Sequence, residues 1–298
     1  MESSITPARI ANAIRQDEYD GVTVLVEGGT DIQLYRKFTR LDACKIKPTF
    51  GKYHMRKVVT ILAEELVGSI IGIRDADFIR IKGNTKFDAN YSDPIVITDY
   101  HDSESMIINS RALDDFVISD IKEEKFKKNF SSIDELRLTL KKLSYPLACL
   151  KLANKRFGLG LFFKPQNDKE NHIKYAKFVD ADNVNFLGHD KLVKYIIDYS
   201  KNKSTEIASY DIVMEKLFEI QAMKYNIDEM VNGHDMVNIL YLIYSKKLKS
   251  KDSDVTSSVQ LESKLRAYFC REYFFGTELF ESLDKWQDRT ENNIISKL

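Results

Sequence analysis

Hydrophobic residues in the first 110 positions alternate between short continuous runs and helical periodicity. Residues 22–27 (VTVLVE) form an apolar, β-branched run, which is typical of a strand buried on both faces. Further strands are predicted at 45–50, 68–78 and 95–97, and an amphipathic helix at 54–66. Because strands and helices alternate, the pattern predicts an α/β fold with a mainly parallel sheet and helices on both faces.

The rest of the chain is predicted to be mainly helical, with a small β element. A helix that begins at the capping box of Ser132 and Glu135 is expected to be interrupted at Pro146. The aromatic-rich residues 157–188 predict a hairpin or small strands, including a core strand at 159–163 (LGLFF). Further helices are predicted at 189–201, 205–223, 234–248, 258–274 and 277–289, and a flexible loop at 250–258.

The formal net charge of zero conceals an asymmetry along the chain. Residues 1–120 contain 15 basic and 19 acidic side chains, whereas residues 121–177 contain 14 basic and 6 acidic ones. An acidic cluster can hold cations and a basic segment can bind phosphates. The same lysines are also what a solvated helix face would carry. We predict an α/β domain at 1–112 and a mainly helical domain at 113–298, which includes the basic segment.

The composition excludes several classes of protein. It is 43% hydrophobic and 30% charged, as in an ordinary soluble globular protein. No apolar run approaches the roughly 20 residues that cross a bilayer, and the polar N-terminus does not resemble a signal peptide. The three cysteines are widely separated and form no C-x-x-C pair, which argues against a disulfide framework and a thiolate zinc site. We expect a reduced, cytoplasmic protein without membrane contact.

Carboxylates follow three of the predicted strands. The carboxyl ends of neighbouring parallel strands meet at one edge of a sheet, about 5 Å apart. Gathering like charges there raises their pKa values and opposes folding unless a cation neutralises them. Oxygen ligands without cysteine suit Mg²⁺ or Mn²⁺, so we expect a site for one of these ions. The carboxylates are Glu27, Asp31, Asp75, Asp77, Asp99, Asp102 and Glu104.

Two glycines, Gly28 and Gly29, separate the first of these acids from a helix predicted to be capped by Thr30. Glycines leave the backbone accessible, so a phosphate can approach it at the helix N-terminus. For Asp31 alone, a favourable first-turn acid is an equally good interpretation. The segment EGGTD does not match G-x-G-x-x-G, which argues against a dinucleotide-binding enzyme.

The stretches VLVEGGTD (24–31) and IGIRDADF (71–78) together resemble the Toprim domain, the metal-binding fold of primases, topoisomerases and OLD-type nucleases. The stretches ITDYHDSE (97–104) and NGHDMVNIL (232–240) resemble a narrower branch. This branch contains nucleases encoded beside an ABC-type ATPase in anti-phage operons, such as the AriB-like effectors of the PARIS defence system.

The resemblance implies a Mg²⁺-dependent endonuclease that an AriA-like ABC-type ATPase holds inactive. Once released, it would act as a homodimer that cleaves host tRNA in abortive infection. Glu27, Asp75 and Asp77 would be catalytic and bind metal, with Asp31 as a further ligand. Ile79 occupies the place of a third acid found in many Toprim proteins, so Asp99, Asp102 or Glu104 would complete the ligand set. A Toprim DNA nickase and a non-catalytic subunit of an ATPase complex are the alternatives.

Several other residues are candidates for substrate contacts. His101 could assist proton transfer, although a hydrogen-bonded structural role is the simpler interpretation. Arg74 could contact a phosphate or pair with a neighbouring carboxylate. His54, His172, His189 and His234 show no ligand spacing and are assigned no chemistry. The basic segment supplies further candidate phosphate contacts: Lys141, Lys142, Lys151, Lys155 and Arg156.

Overall fold

A four-stranded parallel sheet lies at the centre of the first part of the chain. The structure is a computed structural model that describes residues 5–62, 64–81, 93–167, 170–204, 206–250 and 253–296. The strands are β1 (Val22–Val26), β2 (Cys44–Pro48), β3 (Ile70–Arg74) and β4 (Ile95–Ile97), in the order β2-β1-β3-β4. All neighbouring strands pair in parallel, which confirms the predicted α/β arrangement.

Helices cover both faces of the sheet. The connecting helices are α1 (Pro7–Gln16), α2 (Gly29–Tyr35) and α3 (Lys52–Leu62). Because side chains alternate along a strand, Leu25 packs on one face with α1 and α3. Val24 and Val26 point to the opposite face and join a second, larger buried cluster. The central strands β1 and β3 are buried at all five positions, as their uninterrupted apolar sequence requires.

The larger buried cluster extends into the helical part of the chain. It contains side chains from Val22 to Ile295, and the last helix packs back against β4. A hairpin of β5 (Val179–Asp180) and β6 (Asn185–Phe186) confirms the predicted small β element. The remaining helices are α4 (Ser103–Asn109), α5 (Ala112–Asp120), α6 (Glu123–Asn129), α7 (Ile133–Phe157), α8 (His189–Ser200), α9 (Tyr210–Ala222), α10 (Ile227–Met230), α11 (Gly233–Ile243), α12 (Ser258–Tyr268), α13 (Arg271–Phe275) and α14 (Glu278–Thr290). None of the described helices is both long enough and apolar enough to span a membrane.

The predicted interruption at Pro146 is wrong, because α7 continues through it to Phe157. A proline ring removes one helical hydrogen bond and crowds the preceding turn. Packing outweighs this cost, since Pro146 is buried in a 25-residue helix that contacts both α9 and α11.

The predicted core strand at 159–163 is also wrong. Leu159 and Leu161 are buried as expected, but the segment forms no strand, and its backbone bonds to side chains and to the Ala208 N–H. The Asn154 amide donates to the carbonyl of Leu161 and accepts from its N–H, each at 2.9 Å. Gly160 adopts a left-handed φ of +71°, which an extended strand does not contain.

The helix after β1 begins two residues earlier than predicted, at Gly29. Gly28 is its N-cap, and Asp31 Oδ2 accepts from the Gly28 N–H at 2.8 Å. Thr30 therefore lies inside the first turn and does not cap the helix. Asp31 is thus a first-turn acid that accepts a hydrogen bond from the N-cap residue. Its carboxylate still lies at the carboxyl edge of the sheet.

Candidate carboxylate site

Glu27 and Asp75 meet where the two central strands end. Glu27 follows β1 and Asp75 follows β3, and these strands are parallel neighbours. The Asp75 N–H donates to Glu27 Oε1 at 3.3 Å. Asp75 Oδ1 accepts from the Ser103 N–H at 3.1 Å, which places the first turn of α4 against the strand ends. The sheet therefore brings the first two predicted acidic segments together with the third.

Four carboxyl groups in this region have raised pKa values. Burial, followed by repulsion from Asp77, raises the pKa of Glu27 to about 7. Burial, followed by repulsion from Asp102, raises the pKa of Glu104 to about 8. The pKa values of Asp75 and Asp31 are also raised, in each case mainly by burial. Burial, and repulsion between neighbouring carboxylates after it, thus disfavour the charged forms of these four acids.

Asp77 differs from the other acids because it has cationic partners. Burial alone would raise the pKa of its carboxyl group, but the Lys52 ammonium, His101 and Arg74 lower it below the ordinary value. Lys52, the first residue of α3, forms an ion pair with Asp77 Oδ2, and Arg74 Nη2 lies 3.6 Å from the same oxygen. Lys52 is a site residue that the sequence analysis missed, and Arg74 is buried beside a carboxylate.

Asp102 joins the α/β part to the helical part. Its carboxylate accepts from the N–H groups of Ser105 at 2.8 Å and Gly233 at 2.9 Å, and from Asn232 Nδ2 at 2.6 Å. The backbones approach so closely that a Cβ on Gly233 would lie 2.0 Å from the Ser105 nitrogen. The two motifs of the narrower resemblance, at 97–104 and 232–240, therefore contact each other. Asp102 uses both oxygens to hold this contact.

Asp99 and His101 have structural partners as well. Asp99 accepts from the backbone N–H groups of Glu278 at 2.9 Å and Leu279 at 2.8 Å, at the start of α14. His101 is buried, its Nδ1 lies 3.1 Å from the Glu229 carbonyl oxygen, and its ring packs edge-on against Phe78. Since a carbonyl only accepts, Nδ1 carries the proton. The hydrogen bonds thus place Asp99 at a helix N-terminus and His101 at the end of β4.

The acids of this edge suit a hard cation in their chemistry. No group of three His, Cys, Asp or Glu side chains among the described residues is arranged to hold a metal ion. The donor set of Glu27, Asp31, Asp75 and Glu104 contains only oxygen, which is the ligand type of Mg²⁺ and Mn²⁺. A divalent cation would also stabilise the charged forms of these acids, which burial and then mutual repulsion disfavour. On these grounds the residues present fit Mg²⁺ or Mn²⁺.

Most of the predicted phosphate contacts on α7 have partners within the protein. Lys141 Nζ lies 2.5 Å from Asp228 Oδ1, and Lys151 Nζ lies 2.5 Å from the buried Asp235 Oδ2. Arg156 donates to the Tyr225 hydroxyl at 2.7 Å, and Lys155 lies over the Phe78 ring at 5.4 Å. Lys142 is exposed. Most of these basic side chains on α7 therefore contribute to packing within the protein, and Lys142 contributes to its surface charge.

The glycines beside Glu27 leave open space. A Cβ placed on Gly29 would meet no atom within 4 Å, and one on Gly28 would meet only Asp31 Oδ2 at 3.9 Å. The backbone is thus accessible, as predicted, although the helix that follows is only seven residues long.

A second group that the sequence did not reveal lies on α11 and α12. His234 Nδ1 is 3.2 Å from Glu262 Oε2, and Arg266 Nη2 is 2.6 Å from Glu262 Oε1. His234 and Glu262 are 28 positions apart in the sequence, so no local pattern pairs them. Compared with known protein families and with curated proteins, the chain matches no family model and no curated sequence.

Proposed function

We propose that the protein is a metal-dependent endonuclease that hydrolyses phosphodiester bonds at the carboxylate site. The observation that supports this most directly is the set of acids with raised pKa values at the carboxyl edge of the parallel sheet. Gathering these groups opposes folding, and strongly perturbed acids at a sheet edge are typical of functional sites.

Glu27 and Asp75 would hold the cation. The negative charges of Asp31 and Glu104 at the same site would stabilise it further. When bound, Mg²⁺ supplies charge stabilisation at the scissile phosphate and lowers the pKa of the attacking water. The alternative role for Glu27 is general acid/base without contact to the cation, because a carboxyl group whose pKa is about 7 can accept or return a proton near neutral pH. Lys52 and Arg74 add positive charge beside the site, and the open backbone at Gly29 leaves room for a phosphate.

For substrate and biology we propose tRNA cleavage by the effector of an anti-phage system. In this proposal an ABC-type ATPase restrains the protein, and the released form acts as a homodimer. Support comes from the four sequence motifs, two of which meet in the structure through Asp102 and Gly233. Phosphodiester chemistry itself is the same for RNA and DNA.

The test is cleavage of purified total tRNA and of supercoiled plasmid by the isolated protein, with Mg²⁺ or with EDTA. Wild type is compared with Glu27→Ala and with Glu64→Ala, a matched control at an exposed glutamate. We expect tRNA fragments that require Mg²⁺ and Glu27, unchanged in the control, and an intact plasmid. Nicked plasmid would indicate that the substrate is DNA. No cleavage of either, also after release from the ATPase, would favour the non-catalytic subunit.

A further inference from the structure

His234 lies beside the carboxylate site although it follows Glu104 by 130 positions in the sequence. It is the second residue of α11, directly after Gly233, whose N–H donates to Asp102. The Gly233 position touches the backbone of Glu104 and Ser105. The charge of Glu104 acts on His234, as does that of the neighbouring Asp235. The Asp102 contact therefore fixes the start of α11, and His234 with it, at the rim of the acids.

Glu262 orients the imidazole ring. The distance from His234 Nδ1 to Glu262 Oε2 is 3.2 Å. A carboxylate can only accept, so Nδ1 carries the proton and the opposite nitrogen, Nε2, faces away. Glu262 is itself held by Arg266 at 2.6 Å, and Arg266 reaches Gln33 Oε1 on α2 at 3.4 Å. The chain of contacts thus ends on the helix that carries Asp31.

The other nitrogen of His234 is available to a ligand. Within the part of the chain that the structure describes, the imidazole ring of His234 makes no hydrogen bond besides the one to Glu262, and 49% of its side chain is exposed. A carboxylate that holds one ring nitrogen while the other faces an active site is the arrangement that orients catalytic histidines.

We infer that His234 is a substrate-contacting residue of the carboxylate site, which binds a phosphate oxygen of the nucleic acid through Nε2, and that Glu262 is the residue that positions it. This inference rests on the proposed endonuclease function. Glu262 and Arg266 contact each other and not the substrate.

Kinetics of tRNA cleavage test the inference. Removal of a charge-assisted hydrogen bond lowers kcat/KM by about 10- to 100-fold, which we expect for His234→Ala. His234→Gln restores part of the loss because its amide nitrogen can reach the position of Nε2. Glu262→Gln lowers kcat/KM less than His234→Ala does, and leaves the fold intact by thermal melting. The matched control is His172→Ala, at an exposed histidine outside the site. A His234→Ala protein that melts and cleaves like the wild type overturns the inference.

A binding measurement separates this inference from the proposed function. Imidazole ¹H–¹⁵N spectra of the Glu27→Ala protein resolve the five histidines, and His234→Gln assigns the relevant signal. On titration with a dinucleoside monophosphate, we expect the Nε2 signal of His234 to shift and that of His172 to stay. A fixed His234 signal overturns the phosphate contact even if tRNA is cleaved. A shift in a protein that cleaves neither tRNA nor plasmid supports the contact and refutes the nuclease.

Discussion

Asp102→Asn tests the contact that joins the two parts of the chain. Asp102 is 3% exposed and accepts from two backbone N–H groups and from Asn232 Nδ2. Asparagine has the same shape but replaces one acceptor oxygen with a donor. If its oxygen stays with Ser105 and Gly233, its NH₂ group faces the NH₂ group of Asn232. Reversing the Asn232 amide does not solve this, because Asn232 Oδ1 accepts from the Asp235 N–H to cap α11.

The expected loss of stability follows from these contacts. A hydrogen bond to a charged group contributes about 1.5–3 kcal/mol, and a buried donor without a partner costs about 1–3 kcal/mol. Together they give about 2.5–6 kcal/mol for Asp102→Asn. Repulsion between Asp102 and Glu104 opposes this, but Glu104 has a pKa of about 8 and is mostly uncharged at pH 7. The hydrogen-bond term therefore decides the sign, and we expect a net loss of about 3 kcal/mol.

Urea denaturation at pH 7 measures the effect. Asp288→Asn is the matched control, because Asp288 is exposed in α14, and its free energy of unfolding should lie within about 0.5 kcal/mol of wild type. The pKa of Glu104, followed by carboxyl ¹³C signals, should fall in Asp102→Asn because one source of repulsion is removed. A free energy of unfolding equal to that of the control would refute the structural role of Asp102.

Three further outcomes follow from the same structure. The folded state favours protonated Glu104, because the pKa of its carboxyl group rises from 4.5 to about 8. Without divalent cations, the free energy of unfolding therefore falls as the pH rises between these values. Glu104→Gln should flatten that slope in urea titrations. Gly29→Ala should fold normally by thermal melting, since its Cβ has space, but should lower tRNA cleavage if a phosphate approaches there; full activity would contradict that approach. Lys151→Met leaves the buried Asp235 without its ion pair and should lower the free energy of unfolding in urea by about 3–5 kcal/mol. The control is Lys142→Met, at an exposed position on the same helix, which should lower it by less than about 0.5 kcal/mol. Equal losses in these two variants would contradict the packing role of Lys151.

Local patterns predicted the sheet well and the irregular segments poorly. The run at 22–27 and the strand at β3 were readable because strands buried on both faces are uniformly apolar. Pro146 misled the prediction because the packing of α9 and α11 against α7 is not encoded near the proline. Residues 159–163 have strand-like composition, yet the partners of their backbone include Asn154 and Ser200, and Ser200 is far away in the sequence.

The candidate site also contains some residues that local sequence could place and others that it could not. Strand ends placed Glu27 and Asp75 together, as predicted, because β1 and β3 are parallel neighbours. Asp99 was grouped with them by its position after β4, but hydrogen bonds to a helix 179 residues later hold it. Lys52 has no sequence signal of its own, and the motif at 232–240 contains His234 without indicating a role for it. Their position depends on where α3 and α11 begin, which only the folded chain shows.

Binding of Mn²⁺ to the protein at pH 8, followed by isothermal titration calorimetry, tests the central claim most directly. At this pH Glu27, whose pKa is about 7, is mostly ionised. Wild type and Asp99→Asn should bind the ion with similar affinity, because Asp99 serves the start of α14. Glu27→Gln and Asp75→Asn, with unchanged thermal melting at pH 5, should each lose at least about tenfold in affinity, which corresponds to about 1.4 kcal/mol. Equal binding by all four proteins, or no binding by the wild type, would contradict a divalent cation site at these strand ends.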